Sequence, residues 1–272
     1  MTNRVVKQII IASIFFLILF SIVFLIYHFS QPEPSCFDNI QNQEEEEVDC
    51  GGPCIPCELM HIKDIEVLLA DKILVQDNFY DLVAQIKNPN QNYGSGDFSY
   101  NFELYDSKNN LLGKNSGSTF ILPNQTKYLI NSKINISGKI SQVKFSFGKI
   151  DWQRIEDYQP PKLAIQQKEF RLLDDSQIGQ SQVKALLINK TNFDFDKIDI
   201  DVLLFDQYYQ LLGLNTTEIK TLLAGQERDF VATWFRETAE QVAFVEIEAE
   251  TNIFDNDNYL PAIEKKERFQ EY

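Results

Sequence analysis

The chain has 272 residues, with 25 basic and 40 acidic side chains and a net charge of −15. That balance excludes a sequence-blind nucleic-acid binder, which needs basic surface to displace phosphate counterions. With only two histidines, His28 and His61, it also leaves little room for a histidine base or a histidine metal cluster, while 21 Phe and 11 Tyr exclude a disordered chain.

Residues 1–8 form a short basic leader, in which Arg4 and Lys7 are the only charges. Ile9 to Tyr27 is 19 residues without a charge. As a helix it extends about 28 Å, close to the ~30 Å hydrocarbon thickness of a bilayer. A cleaved signal peptide would have a shorter apolar run and a small-residue cleavage site. Tyr27-His28-Phe29-Ser30-Gln31 offers no such site. The sequence therefore predicts an uncleaved transmembrane anchor over 9–29, held in membrane lipid. The positive-inside rule puts the N-terminus in the cytoplasm and everything after Phe29 outside. Cys36 is a poor lipidation site, because it lies well past the apolar run without a Leu three residues before it.

Residues 30–58 hold all four cysteines, Cys36, Cys50, Cys54 and Cys57, spaced C-x13-C-x3-C-x2-C. An even count in one short extracytoplasmic stretch reads as two disulfides in a spacer, with three pairings open. A four-thiolate zinc site is the competing chemistry, disfavoured where thiols are oxidised. A redox Cys54-Ile55-Pro56-Cys57 is disfavoured because no strand–helix pattern surrounds it. Asp38, Asn42, Glu44 and Asp49 supply oxygens that can hold Ca²⁺, although a solvated acidic loop is the favoured reading of them. Cys36-Phe37-Asp38-Asn39-Ile40-Gln41-Asn42, an acidic run, then Asp49-Cys50-Gly51-Gly52-Pro53-Cys54-Ile55-Pro56-Cys57 resembles a short cysteine motif of bacterial and archaeal surface proteins. Asn39 stands where that motif has Gly, a replacement that suits a left-handed backbone.

The remainder predicts two β-domains, 59–158 and 159–260, followed by a charged tail, 261–272. Phe98–Asp106 aligns with Ile198–Asp206 at an offset of 100, and Leu111-Leu112-Gly113 with Leu211-Leu212-Gly213 at the same offset. Asn88 aligns with Asn189, and Leu122–Gln125 with Leu223–Gln226, at 101. Phe98, Tyr100, Phe102 and Leu104 alternate with polar residues, as do Ile198, Ile200, Val202 and Leu204. Period two with one apolar face predicts half-buried antiparallel strands. Further strands are predicted at Val143–Phe147 and Ala243–Ala249. Pro160-Pro161 reads as a semi-rigid linker between the copies. About seven short strands per copy predict tandem Ig-like sandwiches. Asn88-Pro89 and Phe102-Glu103-Leu104-Tyr105-Asp106 resemble the FxLYD family of prokaryotic surface domains, with a degenerate second copy in Val202-Leu203-Leu204-Phe205-Asp206. The resemblance implies an Ig-like sandwich without an assigned activity.

No phosphate loop, nucleophile elbow or zinc-protease motif is present. Asp199 and Asp201, and Glu246, Glu248 and Glu250, fall on alternating polar faces, which predicts solvated carboxylates of ordinary acidity and no cleft between them. Asp255-Asn256-Asp257-Asn258 lacks the Gly and Glu of an EF-hand and reads as a polar loop. Tyr208 and Tyr209, at a hairpin tip, are candidate contact residues. The expectation is a non-enzymatic envelope interaction or assembly module, with no catalytic or metal residue and an envelope protein or glycan as partner. The alternatives are a carboxylate-dependent hydrolase acting on glycans and an accessory subunit of a larger complex.

Overall fold

A computed structural model describes residues 3–29, 35–174, 177–236 and 242–261. The charged tail from 262 onward lies outside them. Strand takes up 51% of the chain and helix 11%, which makes it mainly β. Contacts divide it into two compact units, Met1–Ile62 and Lys63–Tyr272.

The first unit opens with helix α1 (Asn3–Phe29), of which Val6–Tyr27 is long and apolar enough to cross a membrane. Among the described residues the apolar side chains of Val6–Tyr27 are exposed. Only one further helix occurs among the described residues, the single turn α2 (Cys57–Met60). The spacer folds around two disulfides, Cys36–Cys54 and Cys50–Cys57, one of the three pairings the sequence left open. Asn39 sits at φ +59°, in the left-handed region that Asn tolerates. Gly51 and Gly52 are at φ +81° and +56°, and a Cβ on Gly52 would lie 2.6 Å from the Glu44 carbonyl oxygen.

The described residues of the second unit form strands and no helix. Its first half contains β1 (Glu66–Gln76), β2 (Phe79–Lys87), β3 (Tyr93–Tyr105), β4 (Leu111–Ile121), β5 (Thr126–Asn135), β6 (Gln142–Phe147) and β7 (Gln153–Arg154). They pair antiparallel as β1-β2-β5 and β4-β3-β6, with β7 also on β3. The second half contains β8 (Leu163–Leu172), β9 (Ser181–Asn189), β10 (Phe193–Phe205), β11 (Leu211–Leu222), β12 (Glu227–Trp234), β13 (Phe244–Glu250) and β14 (Tyr259–Pro261). These pair as β8-β9-β12 and β11-β10-β13, with β14 on β10, in the same order.

In each half the two sheets face one another across a core. Leu82, Ala84 and Ile86 of β2 meet Phe98, Tyr100, Phe102 and Leu104 of β3. Val183, Ala185 and Leu187 of β9 meet Ile198, Ile200, Val202 and Leu204 of β10. The predicted alternation is thus the core face of both long strands. Leu-Leu-Gly marks the same irregularity twice. The register runs Leu104↔Gly113 then Tyr105↔Leu111, and Leu204↔Gly213 then Phe205↔Leu211, so one residue bulges out of each ladder. A Cβ on Gly113 would lie 2.7 Å from Ile136 Cδ1, and one on Gly213 2.8 Å from Trp234 Nε1.

Asparagines close the loops. Asn88 is fully buried; its amide nitrogen donates to the Tyr93 carbonyl at 2.6 Å and the Leu122 carbonyl at 2.9 Å. Asn189, also fully buried, donates to Phe193 O at 2.7 Å and Leu222 O at 3.2 Å. Asp106 Oδ1 accepts the backbone N–H of Lys108 and Asn110, and Asp206 Oδ1 those of Tyr208 and Gln210. These side chains satisfy backbone groups that a turn would otherwise leave unpaired.

The halves also pack on one another. Val83 and Tyr128 of the first half form a buried cluster with Leu203 and Leu214 of the second.

Candidate functional site

The polar face of β10 is only partly open to solvent. Asp201 and Leu203 lie beneath the first half, which corrects the expectation of a solvated carboxylate at Asp201, while the Asp199 side chain at the rim stays 40% exposed. Cross-strand pairing sets acids in rows over three strands. Asp199 sits between Glu218 of β11 and Glu250 of β13, and Asp201 between Thr216 and Glu248. Leu203 sits between Leu214 and Glu246. Like charges directly opposite repel, so this face requires compensation.

The compensation comes from β5. Lys127 is 2% exposed, and its Nζ lies 2.5 Å from Glu250 Oε1. The same ammonium donates to Thr119 Oγ1 at 3.1 Å and the Phe120 carbonyl at 3.2 Å, and stands 4.0 Å from the Phe120 ring centroid. Gln125 Nε2 donates to Glu250 Oε2 at 3.0 Å. The backbone N–H of Tyr128 donates to Glu248 Oε2 at 3.0 Å, and its hydroxyl to Glu246 Oε2 at 3.3 Å. At the rim Lys197 Nζ lies 2.8 Å from Asp199 Oδ1.

Loss of water, reinforced by the charge of Glu250, pushes the Asp201 carboxyl up to about 8, against the pull of Lys127. Loss of water likewise pushes Glu248 up to about 7, opposed by the Tyr128 amide hydrogen bond. Burial and the neighbouring Glu246 and Glu248 charges hold the Tyr128 phenol well above its usual value. The expectation of carboxyls with ordinary acidity therefore fails at Asp201 and Glu248, because the second sheet face is covered rather than hydrated.

Beside this cluster runs a cleft of about 620 Å³ between the halves. Its walls carry the carboxylates Asp199, Asp201, Glu218 and Glu250 and the hydroxyls of Tyr100, Ser118, Thr216 and Thr217. The sequence reading foresaw no deep polar cleft with two converging carboxylates in either sandwich; this cleft takes its lining from both halves. A signal for it was present. Val202-Leu203-Leu204-Phe205 and Leu82-Val83-Ala84 are continuous apolar runs, which read as strands covered on both faces.

The other candidates lie elsewhere. Tyr208 and Tyr209 are each 73% exposed at the β10–β11 turn, with Tyr209 at φ +59° and its ring stacked on Phe244 at 4.9 Å. Neither lines the cleft. In the spacer, Asp49 Oδ1 accepts the N–H of Asp38 and Asn39, and Asp38 accepts from Ile40 N and Asn42 Nδ2. Three of the four candidate Ca²⁺ ligands, Asp38, Asn42 and Asp49, are thus engaged in closing the loop. Asn42 lends its amide to Asp38, and Glu44 sits at φ +65°. Two groups, Cys36–Glu45–Cys54 and Glu47–Cys50–Cys57, bring metal-type atoms together, but their sulfurs are in disulfides. His61 is exposed, 3.7 Å from Glu47. Asp255–Asn258 is a polar loop in which the buried Asn258 accepts from Lys197 N and donates to Thr251 Oγ1.

No family model and no curated protein matches the chain. Solved structures of Bacillus subtilis oxalate decarboxylase match with little likeness. One is 6% identical over 68% of this chain and 77% of that chain, with a TM-score of 0.12; another, determined at pH 4.6, is 8% identical over 68% and 76%, with a TM-score of 0.10. At that level the likeness carries no argument.

Proposed function

We propose that the chain is a non-enzymatic module of the cell envelope, anchored through 9–29 with its N-terminus cytoplasmic and its β-unit outside. In this reading the disulfide spacer separates membrane from β-unit, and the unit is two copies of one Ig-like, FxLYD-type sandwich. The observation that carries it is the junction between the halves. A buried Lys127–Glu250 ion pair and the Val83–Tyr128–Leu203–Leu214 cluster join them, which supports a block presenting a fixed surface rather than two modules on a hinge. Tyr208 and Tyr209 are the contact residues of that surface, toward an envelope protein or glycan. Aromatic side chains offer large contact area at low entropic cost. A photo-crosslinker at Tyr208 in intact cells should yield a discrete adduct. Absence of any adduct there, with protein at normal level, overturns the role of this tip.

A second reading is favoured by the acidity of the cleft. A buried carboxyl pushed up to about 8, in a cleft that also carries Glu250, supports a general acid of the kind a glycan hydrolase uses. Reducing-sugar release from envelope polysaccharides, abolished in Asp201→Asn, would establish it. No release by the unaltered chain retains the binding module.

A further inference from the structure

The sequence carries four Asn-x-Ser/Thr triplets: Asn124-Gln125-Thr126, Asn135-Ile136-Ser137, Asn189-Lys190-Thr191 and Asn215-Thr216-Thr217. The triplet is the acceptor motif for N-linked sugar, and it serves only where a transferase can reach it. The fold separates the four into two classes.

Asn189 is fully buried, and its amide nitrogen is donated to backbone carbonyls including Phe193 O at 2.7 Å. Asn215 lies within β11, and its amide donates to Thr233 O at 2.8 Å. A sugar on either nitrogen would replace a structural hydrogen bond and force bulk between strands.

Asn124 and Asn135 are different. Both are exposed, and so are Thr126 and Ser137, whose hydroxyls complete the motifs. Asn124 is at the tip of the Leu122–Gln125 turn at φ +53°, closed by Gln125 N to Leu122 O at 3.3 Å. Pro at the second position and Asn with positive φ at the third make this a type II turn. Asn135 is the last residue of β5, followed by Gly138 at φ +117°. The two positions bracket a single strand, one just before its start and one at its end.

We propose that Asn124 and Asn135 are acceptors for N-linked glycans, an inference that rests on the extracytoplasmic placement of the β-unit proposed above. The donor is a lipid-phosphate-linked oligosaccharide. The Asn amide nitrogen bonds to the anomeric carbon of the first sugar. The bond from that carbon to the lipid phosphate oxygen breaks, and the phosphate leaves with the electron pair and takes up the proton lost from the amide.

The test uses the folded full-length chain in detergent micelles, a single-subunit oligosaccharyltransferase that reads Asn-x-Ser/Thr, and its lipid-linked donor. Synthetic peptides spanning each triplet establish that the enzyme accepts all four sequences. Glycopeptide mass spectrometry of the folded chain should find sugar at Asn124 and Asn135 and none at Asn189 or Asn215. Thr126→Ala should remove the first, Ser137→Ala the second. A folded chain left bare at both exposed sites while the peptides are modified overturns the proposal, and so does equal occupancy of Asn189. The chain made in a cell with an external transferase separates the two inferences. If it emerges bare and its β-unit is sealed from added protease, the placement is wrong and glycosylation in the cell falls with it, whereas the micelle result still reports on the two asparagines themselves.

Discussion

Lys127 is the residue on which the junction turns. At 2% exposure it is the cation facing the buried acids, and its nearest counter-charge, Glu250, is itself mostly covered. Removing one member of a buried pair leaves the other charge without compensation, at about 3–5 kcal/mol. Lys127→Ala should lose about that much in urea unfolding of the full chain. Lys127→Met combined with Glu250→Gln should recover most of it, since replacing both members of such a pair is often near neutral. Equal losses in the single and double variants would show that packing, not charge, holds the site. Asn88 offers a second measurement. Its side chain closes a loop from a fully buried position with two donated hydrogen bonds. Asn88→Ala strands those carbonyls at about 1–3 kcal/mol each, and Asn189→Ala should behave alike. A cost below about 1 kcal/mol for either would show that water replaces the lost amide.

At the level of elements, β10 carries the architecture. One face belongs to the core of its own half and the other to the junction. Its counterpart β3 exposes the equivalent second face in part, where Glu103 pairs with Lys114 at 2.5 Å. The two strands sit at the same register offset, yet Leu203 stands where β3 has Glu103. Ser99 and Asn101 are likewise replaced, by Asp199 and Asp201, so all three outward positions differ between the open face and the covered one. The spacer behaves as a separate element. Its buried apolar positions are chiefly Cys50 and Cys57, so its order depends on the cross-links more than on a core. Reduction with dithiothreitol should expose residues 35–62 to protease while the strands of 66–234 stay resistant. Simultaneous digestion of both regions would show that the disulfides support the whole chain.

For the whole molecule the junction makes stability depend on pH. Asp201 and Glu248 bind their protons more tightly folded than unfolded, since they are pushed up to about 8 and about 7. Their contribution is full below the ordinary carboxylate range near 4 and is lost as pH rises through 7 and 8. Burial raises Asp81 as well, which adds the same sign. Folding should therefore weaken between pH 5 and pH 8.5, by a few kcal/mol at most, read as a falling Tm in calorimetry. Asp201→Asn keeps the shape and removes the titration, so it should flatten the slope and raise Tm at pH 8. A wild-type Tm that rises over this range would overturn the assignment of these carboxyls.

How far the sequence reached follows from what each feature depends on. The apolar helix, the strand alternation of Phe98–Leu104 and Ile198–Leu204, the hairpin turns at Asp106 and Asp206, and the matched Asn88 and Asn189 loops all rest on local rules of periodicity and turn chemistry. A strand's side chains alternate whatever it packs against, and an Asn or Asp closes a turn with its own neighbours. The sequence alone therefore determined a mainly β chain behind one apolar helix and a cysteine spacer. Which cysteines pair, which asparagines lie buried and which polar face is covered depend on contacts between residues far apart in the chain. Glu250 meets Lys127 across 123 positions, and no local pattern in β13 marks it as buried rather than hydrated. Only the tertiary structure decided that Asp201, Glu248 and Glu250 lie against Lys127 and Tyr128 while Asp199 and Glu246 keep contact with water, because burial is a property of the surface that arrives opposite, not of the strand that presents it.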